Sequence, residues 1–191
     1  VYSIKYNNNA VNNSILRNIA SKNIKSKYII ISDIDLYFDN EIIKYMINDS
    51  MNNNFSIIPC LYLSKRGTHY LYFYKDRECI IDKWLNWEFN YFLHVAIPSS
   101  FMCIKSDIYQ ELGGFDERYE GHGYEDFDFM IRLIRAYQML DLSLTTDFDT
   151  TYVAPLFACG FRADLAPFCL KALLNKKIVL HKFHKKDKFS Y

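Results

Sequence analysis

The sequence predicts a layered α/β fold, and three stretches carry the prediction. Ile15, Leu16, Ile19 and Ile24, set among polar residues, trace an amphipathic helix for which Ser14 is the expected cap. Tyr28-Ile29-Ile30-Ile31 follows at once, a short β-branched run of the kind that is buried on both faces of a mostly parallel sheet. Ile42, Ile43, Tyr45, Met46 and Ile47 then mark a second helix over residues 41–51, which returns the chain along that sheet.

The later elements fit the same layering. Phe55-Ser56-Ile57-Ile58 and Tyr70-Leu71-Tyr72-Phe73 flank Lys65-Arg66-Gly67-Thr68, which predicts two strands and a turn. Residues 75–98 hold Trp84, Trp87, Phe89, Tyr91 and Phe92 and read as an aromatic-rich connection. A strand near residues 100–104 leads into a helix capped by Ser106 and ended by Gly113-Gly114, glycines suited to a left-handed helix end. Phe127, Met130, Ile131 and Ile134 form a stripe at i, i+3, i+4 and i+7 in a helix starting at Glu125. After a polar, acidic stretch at 141–151 come a helix at 166–174 and a last strand at 176–181, which ends in histidine. There is no internal repeat, and the only biased runs are the asparagines at 7–9 and 52–54.

Composition bounds the function. Half of the 191 residues are apolar and 24% are charged, too apolar for a disordered chain and fitting one domain over 1–191. A net charge of +1 lacks the strongly basic face that nucleic acid demands, so a nucleic-acid partner is not expected. The five cysteines are scattered, without the close pairs of a zinc knot or redox dithiol, which suits a reducing cytoplasm. The longest apolar stretch, at 152–161, contains Pro155 and is about half the roughly 20 residues of a bilayer span, so a soluble or peripheral protein is expected. The sequence begins at Val1 without a charged-then-apolar leader; no signal peptide is read there, and an internal fragment is one reading.

Three clusters carry candidate chemistry. Asp33 and Asp35 stand at the carboxyl end of the first strand, where open α/β sheets bind ligands, and on a regular strand both would face one ligand. They either hold a divalent cation such as Mg²⁺ or Mn²⁺ and meet a sugar hydroxyl or water, or simply open a turn. Glu125, Asp126 and Asp128 either complement the dipole of a helix start or, behind Gly121-His122-Gly123, meet a ligand, with Asp126 taking a proton from an acceptor hydroxyl. His181 and His184 end the last strand, and either imidazole can complete a cation site with Asp35. Residues 171–191 carry seven lysines against Asp187 alone, a patch that suits a diphosphate, an anionic membrane surface or plain solvent.

Together these pieces resemble nucleotide-sugar-dependent glycosyltransferases of the GT-A type. Leu16-Arg17-Asn18-Ile19-Ala20 before Tyr28-Ile29-Ile30-Ile31-Ser32-Asp33-Ile34-Asp35 is similar to the A-R-N-x-G and D-x-D passage of family 2 enzymes. Gly113-Gly114-Phe115-Asp116-Glu117 followed by Gly121-His122-Gly123-Tyr124-Glu125-Asp126-Phe127-Asp128 resembles a signature of β-1,4-galactosyltransferases and bacterial chondroitin-type polymerases. Val179-Leu180-His181-Lys182-Phe183-His184 is similar to their closing H-x-x-[HR] element.

The resemblance implies a Rossmann-like, mixed and mostly parallel sheet flanked by helices, here lacking its N-terminal βα unit, since nothing before Tyr28 supplies the strand and helix that hold the base. It implies Mn²⁺ or Mg²⁺ on Asp35 and His181 with Asp33 nearby, and Arg17, Asp33 and His184 at the donor. Asp126 is the implied base, with Glu125 orienting the acceptor. His122 replaces a tryptophan of the signature, which removes an aromatic platform for the acceptor sugar. Trp84 and Trp87 either stack on a sugar ring or pack in the core.

The activity expected is inverting transfer of a hexose or hexosamine from a UDP-sugar to a glycan in polysaccharide biosynthesis. Its place would be the cytoplasm, at the inner face of the membrane. Two other classes compete: a non-catalytic remnant or binding module of the same fold, and a haloacid-dehalogenase-like phosphohydrolase with Asp33 as nucleophile.

Overall fold

The computed structural model describes residues 12–119, 123–137 and 160–185. In chain order these form α1 (Asn13–Lys22), β1 (Tyr28–Ile31), β2 (Leu36–Tyr37), α2 (Asn40–Asn53), β3 (Phe55–Ile57), β4 (Cys60–Leu63), α3 (Lys65–Tyr74) and α4 (Arg77–Leu85). A 3-10 turn (Phe89–Tyr91) leads to β5 (Phe92–Ala96), β6 (Met102–Lys105), α5 (Ser106–Glu111), α6 (Glu125–Ala136), α7 (Phe161–Leu165), α8 (Pro167–Leu174) and β7 (Val179–His181). The mixed α/β class holds. None of the described helices is long and apolar enough to cross a membrane.

The strands make two sheets, β1-β6-β3 and β2-β7-β4-β5. The sheets are not mostly parallel, as expected, but mostly antiparallel: β6 runs antiparallel to β1 and β3, β2 to β7 and β4 to β5, and among the described strands only β4 and β7 are parallel. An apolar, β-branched run reports burial on both faces, and an antiparallel strand covered on both faces meets that condition as well as a parallel one. β1 illustrates it: Ile29 and Ile31 pack into a core with α6, α7 and α8, while Tyr28 and Ile30 pack on the opposite side with Ile42 and Met46 of α2.

Several local expectations shift for identifiable reasons. The cap of α1 is Asn12, whose Oδ1 accepts from the Ile15 N–H at 2.9 Å, and Ser14 is buried inside the first turn. The expected second strand and its turn are helix α3. Ser64 caps it by accepting from the Gly67 N–H at 3.1 Å, and of Tyr70 to Phe73 Leu71 is buried, Tyr70 packs half-buried against the same core, and Tyr72 and Phe73 are exposed. Gly67 serves close packing here rather than a turn, because an added Cβ would fall on the Tyr91 carbonyl. The aromatic connection contains α4, the 3-10 turn and β5. Gly113 and Gly114 take left-handed φ values of 74° and 71°, as expected, whereas Ser106 spends its hydroxyl on the Ser26 carbonyl rather than on a cap. The acidic stretch at 141–151, the apolar residues 152–159 and residues 1–11, where a leading βα unit would begin, lie outside the described residues.

Candidate active site

Two neighbouring residues of α1 organise one side of the site. Asn18, buried, donates to the Phe115 carbonyl at 2.8 Å and to Glu117 at 3.0 Å, and its Oδ1 accepts from Tyr109 at 2.8 Å and the Phe115 N–H at 2.9 Å. All of its side-chain polar capacity is thus used to fasten the Gly113-to-Glu117 turn to α1. Gly114 lies so close that a Cβ there would strike Asn18 Oδ1. Arg132 closes the other side, reaching the Leu112 and Gly114 carbonyls at 2.9 and 2.8 Å and Asp128 at 2.8 Å, which holds α6 against the same turn.

Arg17 meets the same turn and reaches on to two carboxylates. Its guanidinium lies 4.9 Å from the centre of the Phe115 ring and bridges Glu125 at 3.0 Å and Asp33 at 3.3 Å. Glu125 is only 6% exposed, and its second oxygen accepts from the Gly123 N–H at 3.1 Å. Both Glu125 oxygens are therefore spent inside the protein, so this residue shapes the turn before α6 instead of reaching outward. Asp33 is similarly engaged, with Ser100 donating to its other oxygen at 2.8 Å. Asp126 is different: one oxygen accepts from the Phe127 N–H at 2.9 Å, and no protein partner is seen for the other among the described residues. Burial, then the charge of Glu125, push the Asp126 carboxyl up to about 6, with Arg17 opposing. A carboxylate poised there can act as a general base near neutral pH.

A second group forms across β2 and β7. β1 ends at Ile31, so Asp33 and Asp35 lie on a turn rather than a strand, and their side chains diverge. The antiparallel pairing sets Leu36 opposite His181, and the Lys182 N–H donates to the Asp35 carbonyl at 3.1 Å. Asp35 Oδ2 consequently meets His181 Nε2 at 3.1 Å and His184 Nε2 at 3.0 Å. Burial lowers the pKa of the His181 imidazole despite the attraction of Asp35, which favours the neutral form that has a lone pair to donate. Register also builds an aromatic support, since Tyr62 lies opposite His181 on one side and His94 on the other. The three rings stack, with centroids 4.2 and 4.3 Å apart and planes tilted by 19°. Beside them opens a pocket of about 450 Å³ lined by Leu93, Phe183, Lys182 and Lys185 as well as by these rings.

One donor atom from each of Asp35, His181 and His184 lies within 4.8 Å of the others, and Asp35 Oδ1 is buried without a hydrogen-bond partner. An orphaned carboxylate oxygen beside two imidazoles fits a divalent cation; the mixed nitrogen and oxygen donors suit Mn²⁺ better than Mg²⁺, which favours oxygen alone. Asp33 is not among these donors.

The two groups share one region. The Tyr62 phenol is raised by burial and, after Cys60, by the charges of Asp33, Asp126 and Asp35, which puts all three carboxylates within electrostatic reach of it. Sequence reading did not single out Tyr62, His94 or Ser100, because strand register, which no local pattern announces, brings the first two together and Ser100 has only a turn-like context. Gly121 and His122 lie outside the described residues. Trp84 packs against a core cluster, as one of its two readings has it, whereas Trp87 stands 73% exposed. Asp33 as a phosphatase nucleophile is disfavoured, since Arg17 and Ser100 occupy both its oxygens.

No curated protein and no solved structure matches the chain. A family model described as glycosyltransferase like family 2 matches residues 1–190, nearly all of the sequence. With that coverage, the chain belongs to the family 2-like glycosyltransferases.

Proposed function

We propose that the chain transfers a hexose or hexosamine from a UDP-sugar to a glycan hydroxyl with inversion at the anomeric carbon, in polysaccharide biosynthesis. The observation that carries this reading is the free oxygen of Asp126, set beside the Arg17–Glu125–Asp33 network and near the Asp35, His181 and His184 donors. Asp126 takes the proton of the acceptor hydroxyl as its oxygen forms the bond to the anomeric carbon. The bond from that carbon to the diphosphate oxygen breaks, and the electron pair leaves with the diphosphate. Arg17 keeps Glu125 and Asp33 in place, and Glu125 fixes the backbone at Gly123, so that Asp126 is held where α6 begins. Asp35, His181 and His184 would hold Mn²⁺, which when bound neutralises charge on the leaving diphosphate.

The test is calorimetric titration of the chain with a panel of UDP-sugars, with and without Mn²⁺. The expected result is donor heat that requires the metal and disappears in His181→Ala. Absence of any metal-dependent heat would support a non-catalytic member of the family instead.

A further inference from the structure

We propose that the outer face of α3 and the adjoining 3-10 turn form a docking surface for an anionic lipid bilayer. Lys65, His69, Tyr72 and Phe73 recur at i, i+4, i+7 and i+8 and lie on one exposed face of α3. Phe73 is 76% exposed, and Tyr72 and Tyr74 beside it are also open to solvent. The patch continues onto the turn through ring contacts: Tyr70 meets Tyr74 at 4.3 Å and Tyr91 at 5.4 Å, and Trp87 meets Phe89 at 5.7 Å. Trp87 has a φ of 61°, a region that a bulky side chain rarely adopts, and in it the indole stands outward in solvent.

Charge selects the partner. α3 contains no acidic residue, and the acids of the neighbouring α4 and its following turn are already neutralised. Glu78 pairs with Arg77 at 2.6 Å, Asp82 with Lys176 at 2.9 Å and Glu88 with Lys83 at 3.0 Å, while Asp76 caps α4. None of the ion pairs among the described residues takes up Lys65, Lys75, Lys182 or Lys185. Exposed Trp, Tyr and Phe rimmed by unpaired lysines match the bilayer interface, where rings sit at headgroup level and cations meet anionic lipid. The molecule as a whole is only +1, so the attraction is local to this face.

The same face borders the candidate active site. The segment after β7 runs along α3, with the Phe183 N–H donating to Thr68 Oγ1 at 2.7 Å and Lys182 lying 5.7 Å from the centre of the Tyr72 ring. Docking would therefore bring His184 close to the lipid surface. The proposal stands independently of the transfer chemistry.

Co-sedimentation of the full chain with phosphatidylcholine vesicles, with and without phosphatidylglycerol, tests it. Binding is expected only with the anionic lipid, falling about tenfold or more in Lys65→Glu/Lys75→Glu. It should fall likewise in Phe73→Ser/Trp87→Ser and weaken with salt. Each variant is first checked for an unchanged unfolding transition, since all four positions are exposed. Equal binding to neutral vesicles, or indifference to both pairs of substitutions, overturns the proposal. Quenching of tryptophan fluorescence by a soluble glycan that is lost in Phe73→Ser/Trp87→Ser, with no vesicle binding, assigns the patch to carbohydrate and also overturns it. Asp126→Asn should retain vesicle binding, and Phe73→Ser/Trp87→Ser should retain metal-dependent donor heat, so the surface and the transferase reading fail separately.

Discussion

Glu125 keeps both oxygens occupied within the protein while Asp126, one residue on, leaves one without a partner among the described residues, and this difference decides which of them can do chemistry. Asp126→Asn retains the bond from the Phe127 N–H but cannot accept a proton, so turnover should fall about 10²- to 10⁴-fold with donor binding intact. Unchanged turnover would remove Asp126 from the mechanism. The wild-type rate should fall as pH drops through about 6, where this carboxylate becomes protonated. Stability should move the other way. The folded-state value lies above the ordinary 3.8, so the ionised form costs folding energy above pH 6, and that cost fades as pH falls toward 4. Asp126→Asn should stabilise the chain at neutral pH by about 1–2 kcal/mol, after discounting for partial exposure, and confer little at acid pH. Urea unfolding at both pH values measures it. Arg17 offers the complementary case: Arg17→Met leaves buried Glu125 unpaired and should cost about 3–5 kcal/mol. Adding Glu125→Gln should recover part of that loss in a double-mutant cycle, and strict additivity of the two losses would show that the pair is not coupled.

At the level of elements, α3 shows both what the sequence discloses and what it conceals. A helix interior normally gains about 1 kcal/mol from Gly→Ala, so propensity alone predicts that Gly67→Ala stabilises. The Tyr91 carbonyl occupies the place of the new Cβ, and moving the 3-10 turn away should instead cost about 1–3 kcal/mol. A higher urea midpoint for Gly67→Ala would contradict this packing. The same glycine explains why a hairpin is read over residues 55–73: glycine beside polar residues resembles a turn, and the need for close approach lies in a partner some two dozen residues away. The stripe expected at Phe127, Met130, Ile131 and Ile134 locates α6 because the period itself reports a core face, but the face buried is Phe129, Met130, Leu133 and Ile134, with Phe127 and Ile131 partly buried at its edge. Strand direction is not, since Tyr28 to Ile31 would show the same burial beside parallel or antiparallel neighbours. The D-x-D spacing likewise disclosed two carboxylates but not that a turn sends Asp33 toward Arg17 and Asp35 toward the histidines.

Across the whole molecule, the Asp35, His181 and His184 donors link the turn after β1 to the strand that closes the described fold, segments far apart in sequence. A cation bound there clamps both to one point, and because the unfolded chain holds these ligands apart, binding energy becomes folding energy. At a free Mn²⁺ concentration one hundred times its dissociation constant, the stabilisation should be about 2.7 kcal/mol. It should appear as a rise in Tm that a chelator reverses. His181→Ala and Asp35→Asn should each abolish the rise, since each removes a donor at the centre of the cluster. A substitution outside the cluster, such as Phe73→Ser, should preserve it, so general ionic effects on a chain of net charge +1 are separated from a specific site. A Tm that rises equally in wild type and His181→Ala would mean that the metal binds elsewhere. The buried, unpartnered Asp35 Oδ1 would then remain a desolvation cost without a compensating ligand.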